Sequence, residues 1–315
     1  ARSMSIEYDL IQASYDENAT SWSLTASITH NLTDPFYNTV GAFVTPDLQD
    51  NGLALSGQIG EVNWQAQYNE TEDNLDELAT ILTTLNKNTT LTFSLPVKSL
   101  FKSESSLVPE NLNMNYQKTH QLGKNLPLSF DPDSHIPDQI TLQNSLAVEW
   151  LIEQTSFAYN IAISDQNNRQ PGRESADFTA TEHSISLNTS LNENLSFNLS
   201  LSRGKAEDKE QLLDRNSTSA SAGIDWNITQ QLSLSGNLSK TSEDDSQNLA
   251  TNDSHSLQTQ LSYRFELPKG GGGKLPVQVF VRYASDENES VDNQFLFTSS
   301  TENRSFNAGL NVSFF

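Results

Sequence analysis

Residues 195–241 carry a period of two that restricts this chain more than any other feature. Leu195, Phe197, Leu199 and Leu201 alternate with Ser196, Asn198, Ser200 and Ser202. A polar run occupies 205–218. Ala220, Ala222, Ile224, Trp226 and Ile228 then fall in one phase, and Leu232, Leu234, Gly236 and Leu238 resume it after the short break Thr229-Gln230-Gln231. Successive side chains of a strand point to opposite faces, so each run is a strand with one apolar and one polar face. The connections alternate between long and polar and very short. That pattern predicts an all-β fold: a closed antiparallel transmembrane β-barrel, with short turns at one end and long loops at the other.

The alternation recurs along the whole chain. Met4, Ile6, Tyr8 and Leu10 mark a strand near 3–15, and Trp22, Leu24, Ala26 and Ile28 mark one near 21–32. A further strand is expected at 39–46. Leu53, Leu55 and Ile59 meet Val62, Trp64, Ala66 and Tyr68 across Gly60-Glu61, a tight hairpin connection. Leu91 to Val97, residues 111–121, 139–152, Phe157 to Ile163 and His183 to Leu191 follow. Leu257 to Leu267, Val277 to Tyr283 and Phe306 to Phe314 complete the set, with a short additional run at 295–301. The tally is about sixteen strands, the even number of a closed bacterial single-chain barrel, which places both termini on the short-turn side. Residues 1–315 read as one domain.

One segment breaks the period. In 69–88, Leu75, Leu78, Ile81, Leu82 and Leu85 sit at helical spacing. Asp73 or Asn74 can cap the start, Asp76 and Glu77 lie in the first turn and Lys87 in the last, so the expectation is a short amphipathic helix within a loop.

Composition narrows the partners. The 315 residues carry a formal charge of −22 and no Cys, with a mean hydropathy of −0.53. No apolar run is long enough for a transmembrane helix. The acidic balance excludes a nucleic-acid partner, which needs Lys and Arg clusters. Without Cys there is neither a disulfide framework nor a thiolate metal site. The start, Ala1-Arg2-Ser3, lacks the pattern of a secretory signal, as in a mature chain.

The two phases suggest two environments. Trp22, Trp64, Trp150, Trp226, Tyr283 and Phe314 lie on the apolar phase near strand ends, as the aromatic girdle at a membrane interface does. Glu149, Glu182, Asp225, Arg264 and Arg282 lie on the opposite phase and are candidates for the wall of a lumen.

At this level the chain resembles bacterial outer-membrane β-barrels, and its final Phe314-Phe315 resembles the terminal aromatic these proteins present to their insertion machinery. The resemblance implies a bacterial outer-membrane location, with outer-membrane lipid and the insertion machinery as partners. General porins within this class have sixteen strands, and the loop after their fifth strand folds into the lumen. Here that position falls on 69–88, which makes Glu70, Glu72, Asp73, Asp76 and Glu77 candidates for a pore constriction. The porins' Pro-Glu-Phe-Gly-Gly loop motif and dense Arg cluster are absent, so the resemblance holds to the class rather than to that family.

No enzyme signature emerges. His183-Ser184-Ile185-Ser186 lacks the Asn-Gly of an outer-membrane phospholipase, and His255 near Asp253 is a lone pairing among many acids. The runs Glu243-Asp244-Asp245 and Asp286-Glu287-Asn288-Glu289 read as solvated loops rather than calcium sites. The expected function is a passive channel for small hydrophilic solutes or ions that prefers cations and uses no cofactor or metal. Two alternatives stand beside it: the C-terminal export barrel of a larger secretion protein, and a barrel that anchors or receives a protein partner through acidic loops. Whether the partner is a second copy or another envelope protein stays open.

Overall fold

The computed structural model describes residues 2–13, 21–34, 47–78, 80–126, 136–247, 249–269, 273–293 and 295–312. They form fifteen strands: β1 (Arg2–Ala13), β2 (Trp22–Thr33), β3 (Leu48–Ile59), β4 (Val62–Asp73), β5 (Thr83–Leu95), β6 (Asn111–Lys124), β7 (Asp138–Ile152), β8 (Thr155–Asn168), β9 (Phe178–Asn192), β10 (Leu195–Asp208), β11 (Leu213–Asn227), β12 (Leu232–Asp245), β13 (Ala250–Lys269), β14 (Gly273–Asp292) and β15 (Phe297–Val312). They build one antiparallel sheet whose strand order is the chain order. The chain divides into two units. Unit one is Ala1–Val148, Ile161–Thr181 and Glu207–Leu212; unit two is Glu149–Asn160, Glu182–Ala206 and Leu213–Phe315.

Register shows why the alternation matters. Residues directly opposite in an antiparallel ladder share a face. In unit two, Trp226 stands opposite Leu234, Leu234 opposite Leu261, Leu261 opposite Val281 and Val281 opposite Ala308. The next rows repeat this with Leu232, Tyr263, Val279 and Leu310, then Phe265, Val277 and Val312. In unit one, Tyr8, Ala26, Leu55, Ala66, Leu91 and Tyr116 form one row, and Ile11, Leu24, Gly57, Trp64, Phe93 and Met114 the next. A bulge between Asp9 and Ile11 keeps β1 in phase. A slip of one residue in any ladder would send a whole apolar set to the polar face.

Much of the apolar face is left open by the described residues. Leu85, Ala176 and Val277 are the buried hydrophobic residues among the described ones, whereas Phe306 is 71% exposed, Leu310 59% and Leu238 54%. Along β13 the apolar phase runs from Leu257 to Leu267. At ~3.3 Å per residue and a tilt near 40° this spans about 25 Å.

Several expectations change. Among the described residues of 69–88 there is no helix: the segment finishes β4, turns, and begins β5. Asn74 and Glu77 both have left-handed φ, 51° and 50°, which a helix does not allow. The Asn74 side chain does act as a cap, accepting from Leu78 N at 2.9 Å, but it organises a loop. Its Nδ2 donates to Ile81 O at 3.1 Å and to the Thr83 hydroxyl at 3.0 Å. The helix of the described residues is α1 (Val97–Leu100), a single turn behind Pro96 in the connection from β5 to β6.

The expected strand at 39–46 lies outside the described residues, and β2 pairs directly with β3. The weak run at 111–121 is β6, and 295–301 is the start of β15 rather than a separate strand. The fifteen described strands therefore fall short of sixteen. Arg2 pairs with Leu32, so β1 enters at the end opposite the Gly60-Glu61 turn, not on the short-turn side. The long polar connections at 205–218 and 242–255 are mostly ladder. Strands β10 to β13 continue beyond the apolar rows with polar residues on both faces, joined by turns at 209–212 and 246–249.

Candidate functional site

The polar phase is the candidate working surface, and the ladders build it residue by residue. In unit two, Asp225 stands opposite Ser235, Ser235 opposite Gln260, Gln260 opposite Arg282, and Arg282 opposite Asn307. Asp225 and Arg282 are thus three strand spacings apart, about 14 Å. They line one open cleft of 270 Å³ together with Asn198, Gln258 and Gln260. Arg282 donates from Nε and Nη2 to Gln260 Oε1 at 3.1 and 3.0 Å, which fixes the guanidinium against the wall.

Gly223 makes room in the same cleft. A Cβ there would stand 2.5 Å from Asn198 Nδ2, so the glycine lets the amide lie across β11. Hydroxyl pairs tie neighbouring strands: Ser202 with Ser219 at 2.7 Å and Ser239 with Ser256 at 2.8 Å. Nearer the β13–β14 turn, Arg264, Glu266, Gln278 and Asn311 line a second recess of 690 Å³.

Unit one repeats the chemistry. Ser23, Thr25, Gln58, Asn63, Gln65, Ser94 and Asn113 are among the lining of a recess of 540 Å³. Thr25 Oγ1 donates to Asp9 Oδ1 at 2.9 Å, and Ser94 Oγ to Asn113 Oδ1 at 2.7 Å. These surfaces can hydrogen-bond water and polar solutes. Among the described residues no group of three His, Asp or Glu is placed to hold a metal ion.

All five wall candidates, Glu149, Glu182, Asp225, Arg264 and Arg282, alternate with the apolar positions of their strands and so share the polar phase. The constriction candidates do not form one group. Glu70 and Glu72 follow Tyr68 on the phase of Trp64 and Ala66, the apolar face, just beyond its rows. There Glu70 pairs with Lys87 at 3.3 Å and Glu72 with Lys124 at 3.4 Å. Asp73 Oδ1 accepts the Thr84 N–H, and Asp76 and Glu77 are exposed in the turn.

Trp22, Trp64, Trp150 and Trp226 all stand within a few residues of the short turns of their own units, and Trp150 contacts Phe157 at 5.4 Å across one of them. Tyr283, opposite Phe306, lies toward the other edge of the apolar rows. Phe314 lies outside the described residues.

Two turn carboxylates beyond the apolar rows have shifted titrations. Glu174 is lowered by its own backbone N–H and that of Gly172, and Arg173 beside it pairs with Glu210 at 2.6 Å. Asp245 is lowered chiefly by the Leu249 N–H, with those of Ala250 and Gln247 adding to it. Neither turn was legible in the sequence, because an Asp or Glu that collects backbone N–H groups looks the same as a solvated one.

No family model matches the chain, and neither does any curated protein. Solved structures do. OmpT, an outer membrane protein of Vibrio cholerae, folded in vitro, is 8% identical, covering 98% of this chain and 94% of its own, with a TM-score of 0.38. Its loop L8 deletion mutant is 9% identical, covering 98% and 96%, with a TM-score of 0.39. OccK11 (OpdR) of Pseudomonas aeruginosa is 10% identical, covering 99% and 95%, with a TM-score of 0.31. The chain is similar to these proteins over nearly its full length.

Proposed function

We propose that the chain is an outer-membrane β-barrel whose polar face lines a passive aqueous channel for small hydrophilic solutes or ions. The observation that carries this is the in-register apolar face that each unit leaves open. In water such a surface would drive aggregation; in hydrocarbon it is the face a spanning sheet presents. Hydrocarbon also tolerates no unpaired strand edge, so the sheet closes on itself as one domain. The polar phase then faces a water-filled interior.

The interior prefers cations. Glu149, Glu182 and Asp225 outnumber Arg264 and Arg282 on the wall, in a chain whose net charge is −22. Like charge in a confined channel concentrates counter-ions, and the preference fades as salt screens it. Planar-bilayer recording under asymmetric KCl tests both parts. The expected result is steady conductance with a reversal potential on the cation side, shrinking at high salt. A protein that folds into lipid yet conducts nothing overturns the channel.

One observation favours a second reading, a barrel that receives a protein partner. Strands β14 and β15 continue past the apolar rows to a turn where Phe295 is 75% and Leu296 91% exposed. The stem beneath carries Asp286, Glu287, Glu289 and Glu302.

A further inference from the structure

On the apolar phase of unit two, the first positions beyond Leu201 and Leu238 are Arg203 on β10 and Lys240 on β12. Both are exposed, and neither has a carboxylate partner among the described residues. Between them runs β11. Ser202 bonds Ser219 at 2.7 Å, and Asn227 N donates to Asn194 O at 2.7 Å, which sets Arg203 opposite Thr218. Lys240 stands opposite Ala220. Two long cationic side chains thus flank a strand that shows only a methyl and a small hydroxyl side chain. Their Cα atoms are about 12 Å apart, within reach of a single group seated over β11.

Lys205, one position further out on the same phase, pairs with Asp214 at 3.0 Å. His255 stands opposite Lys240. Arg203 and Lys240 are thus two cations without an ion-pair partner among the described residues, in a chain that carries 40 acidic residues against 18 basic ones; Asp253, opposite Ser242, lies two positions further out on the same phase. Asp244, further out on β12, is held by Asn216 at 3.4 Å.

We infer that Arg203 and Lys240 form a docking site for the phosphate of an anionic lipid headgroup. The inference rests on the barrel reading and concerns its outer rather than its inner face. Charge selects an anion. Position selects a lipid: the site begins where the apolar rows end, so a lipid whose chains lie on Leu201, Leu238 and Leu199 brings its phosphate to this level. Arg supplies a planar fork for phosphate oxygens and Lys a mobile point charge. Serine and threonine hydroxyls around Thr218 and Ser242 complete a polar shelf.

The test uses the full chain folded in a non-ionic detergent. Appearance of a heat-modifiable species is recorded before any lipid is added; its absence sinks the barrel reading, and the inference with it. Short-chain phosphatidylglycerol and phosphatidylcholine are then titrated separately and binding is followed by native mass spectrometry. The wild-type chain should hold phosphatidylglycerol on the order of tenfold more tightly. The double variant R203Q/K240Q should lose that difference, while K98Q/K102Q, which removes the same charge around α1, keeps it. Inorganic phosphate at matched concentration should not compete. Equal affinity for the two lipids, a difference that survives in R203Q/K240Q, or full displacement by inorganic phosphate would each overturn the inference, the last by marking a site for the free anion.

Discussion

The indole of Trp64 lies over Gly57, its partner across the β3–β4 ladder, so closely that a Cβ at 57 would stand 2.5 Å from Nε1. The glycine is the seat of an aromatic at the edge of the apolar rows. Gly57→Ala should lift the ring off the sheet and cost about 1–3 kcal/mol. In a background with Trp22, Trp150 and Trp226 changed to Phe, the emission of Trp64 should shift and the urea midpoint in lipid should fall. An unchanged spectrum would show that the ring does not depend on this seat.

Leu234 and Ser235 are neighbours on β12 and belong to opposite faces. Leu234→Arg places a charge among Trp226, Leu261 and Val281 and should cost roughly 2–4 kcal/mol if that row lies at the bilayer midplane. Ser235→Arg places it beside Asp225 and Gln260 and should be tolerated. Leu199→Arg and Ser200→Arg should divide in the same way on β10. Heat-modifiable gel mobility after folding into lipid reads the contrast, and equal tolerance at both phases would remove the membrane assignment.

Asn74 is 3% exposed and Thr83 1%, and each satisfies the other. Asn74→Ala removes an acceptor for Leu78 N, a donor to Ile81 O and the partner of the buried Thr83 hydroxyl, at a left-handed φ that Ala adopts poorly. A loss of about 1–3 kcal/mol follows from the unpaired groups. It should appear as a lower midpoint of thermal unfolding in detergent. Asn74→Asp should recover part of the loss, because it keeps the acceptor.

The same residue shows where sequence reading fails. Asn74 has the chemistry of a cap, and Leu75, Leu78, Leu82 and Leu85 have the spacing of a helix face. Yet Leu85 is already in β5, buried opposite Glu72 and Leu122, and the other three belong to a turn. Four leucines over eleven residues cannot distinguish one helical face from a turn plus a strand start. Strand interiors were legible because each has one apolar phase. Strand ends in unit two were not, because Asp253, Glu287, Glu289 and Glu302 leave both faces polar while the backbone ladder continues. The phase of the wall candidates was legible for the same reason as the interiors: Asp225 beside Trp226 can only face the other way.

Asp225 and Arg282 sit at opposite sides of one cleft and should act with opposite sign on permeant ions. Arg282→Gln should move the reversal potential further toward cations, and Asp225→Asn should move it back. Both shifts should fade as KCl rises. Gln260→Leu releases the Arg282 guanidinium from its anchor, so it should change conductance noise more than mean selectivity. Shifts in the same direction for both charge variants would place the cleft outside the ion path.

Asp245 collects the N–H groups of Gln247, Leu249 and Ala250 at 3.0, 2.8 and 2.7 Å, closing the β12–β13 turn beyond the apolar rows. These bonds favour the charged form and lower its pKa, that of Leu249 most. Because the folded value lies below the unfolded one, the carboxylate's contribution is complete above the ordinary Asp pKa and is lost as pH falls through the lowered value. Exchange of the Leu249 and Ala250 amides, corrected for intrinsic rates, should therefore be slow at neutral pH and quicken only in strong acid. Asp245→Asn keeps one acceptor oxygen and loses the other, so its Ala250 amide should exchange faster and show no acid limb, and a wild-type profile without an acid limb would exclude the cap.

Strand order equal to chain order has a consequence for how the molecule comes into being. Each strand's partners are the strands just before and after it, so assembly can advance one hairpin at a time, each step closing only a short loop. The seam between the first and last strands would be the exception. Joining ends some three hundred residues apart rather than ten carries an entropic cost larger by about 3 kcal/mol, if nothing in between has formed. If the two edges meet, as the barrel reading requires, a sheet already built from its neighbours would avoid most of that cost. On the barrel reading the seam should form last, and until then β1 and β15 would be the two edges open to a wrong partner. Speed of folding would be set by the time these edges stay exposed, not by the stability of any single strand.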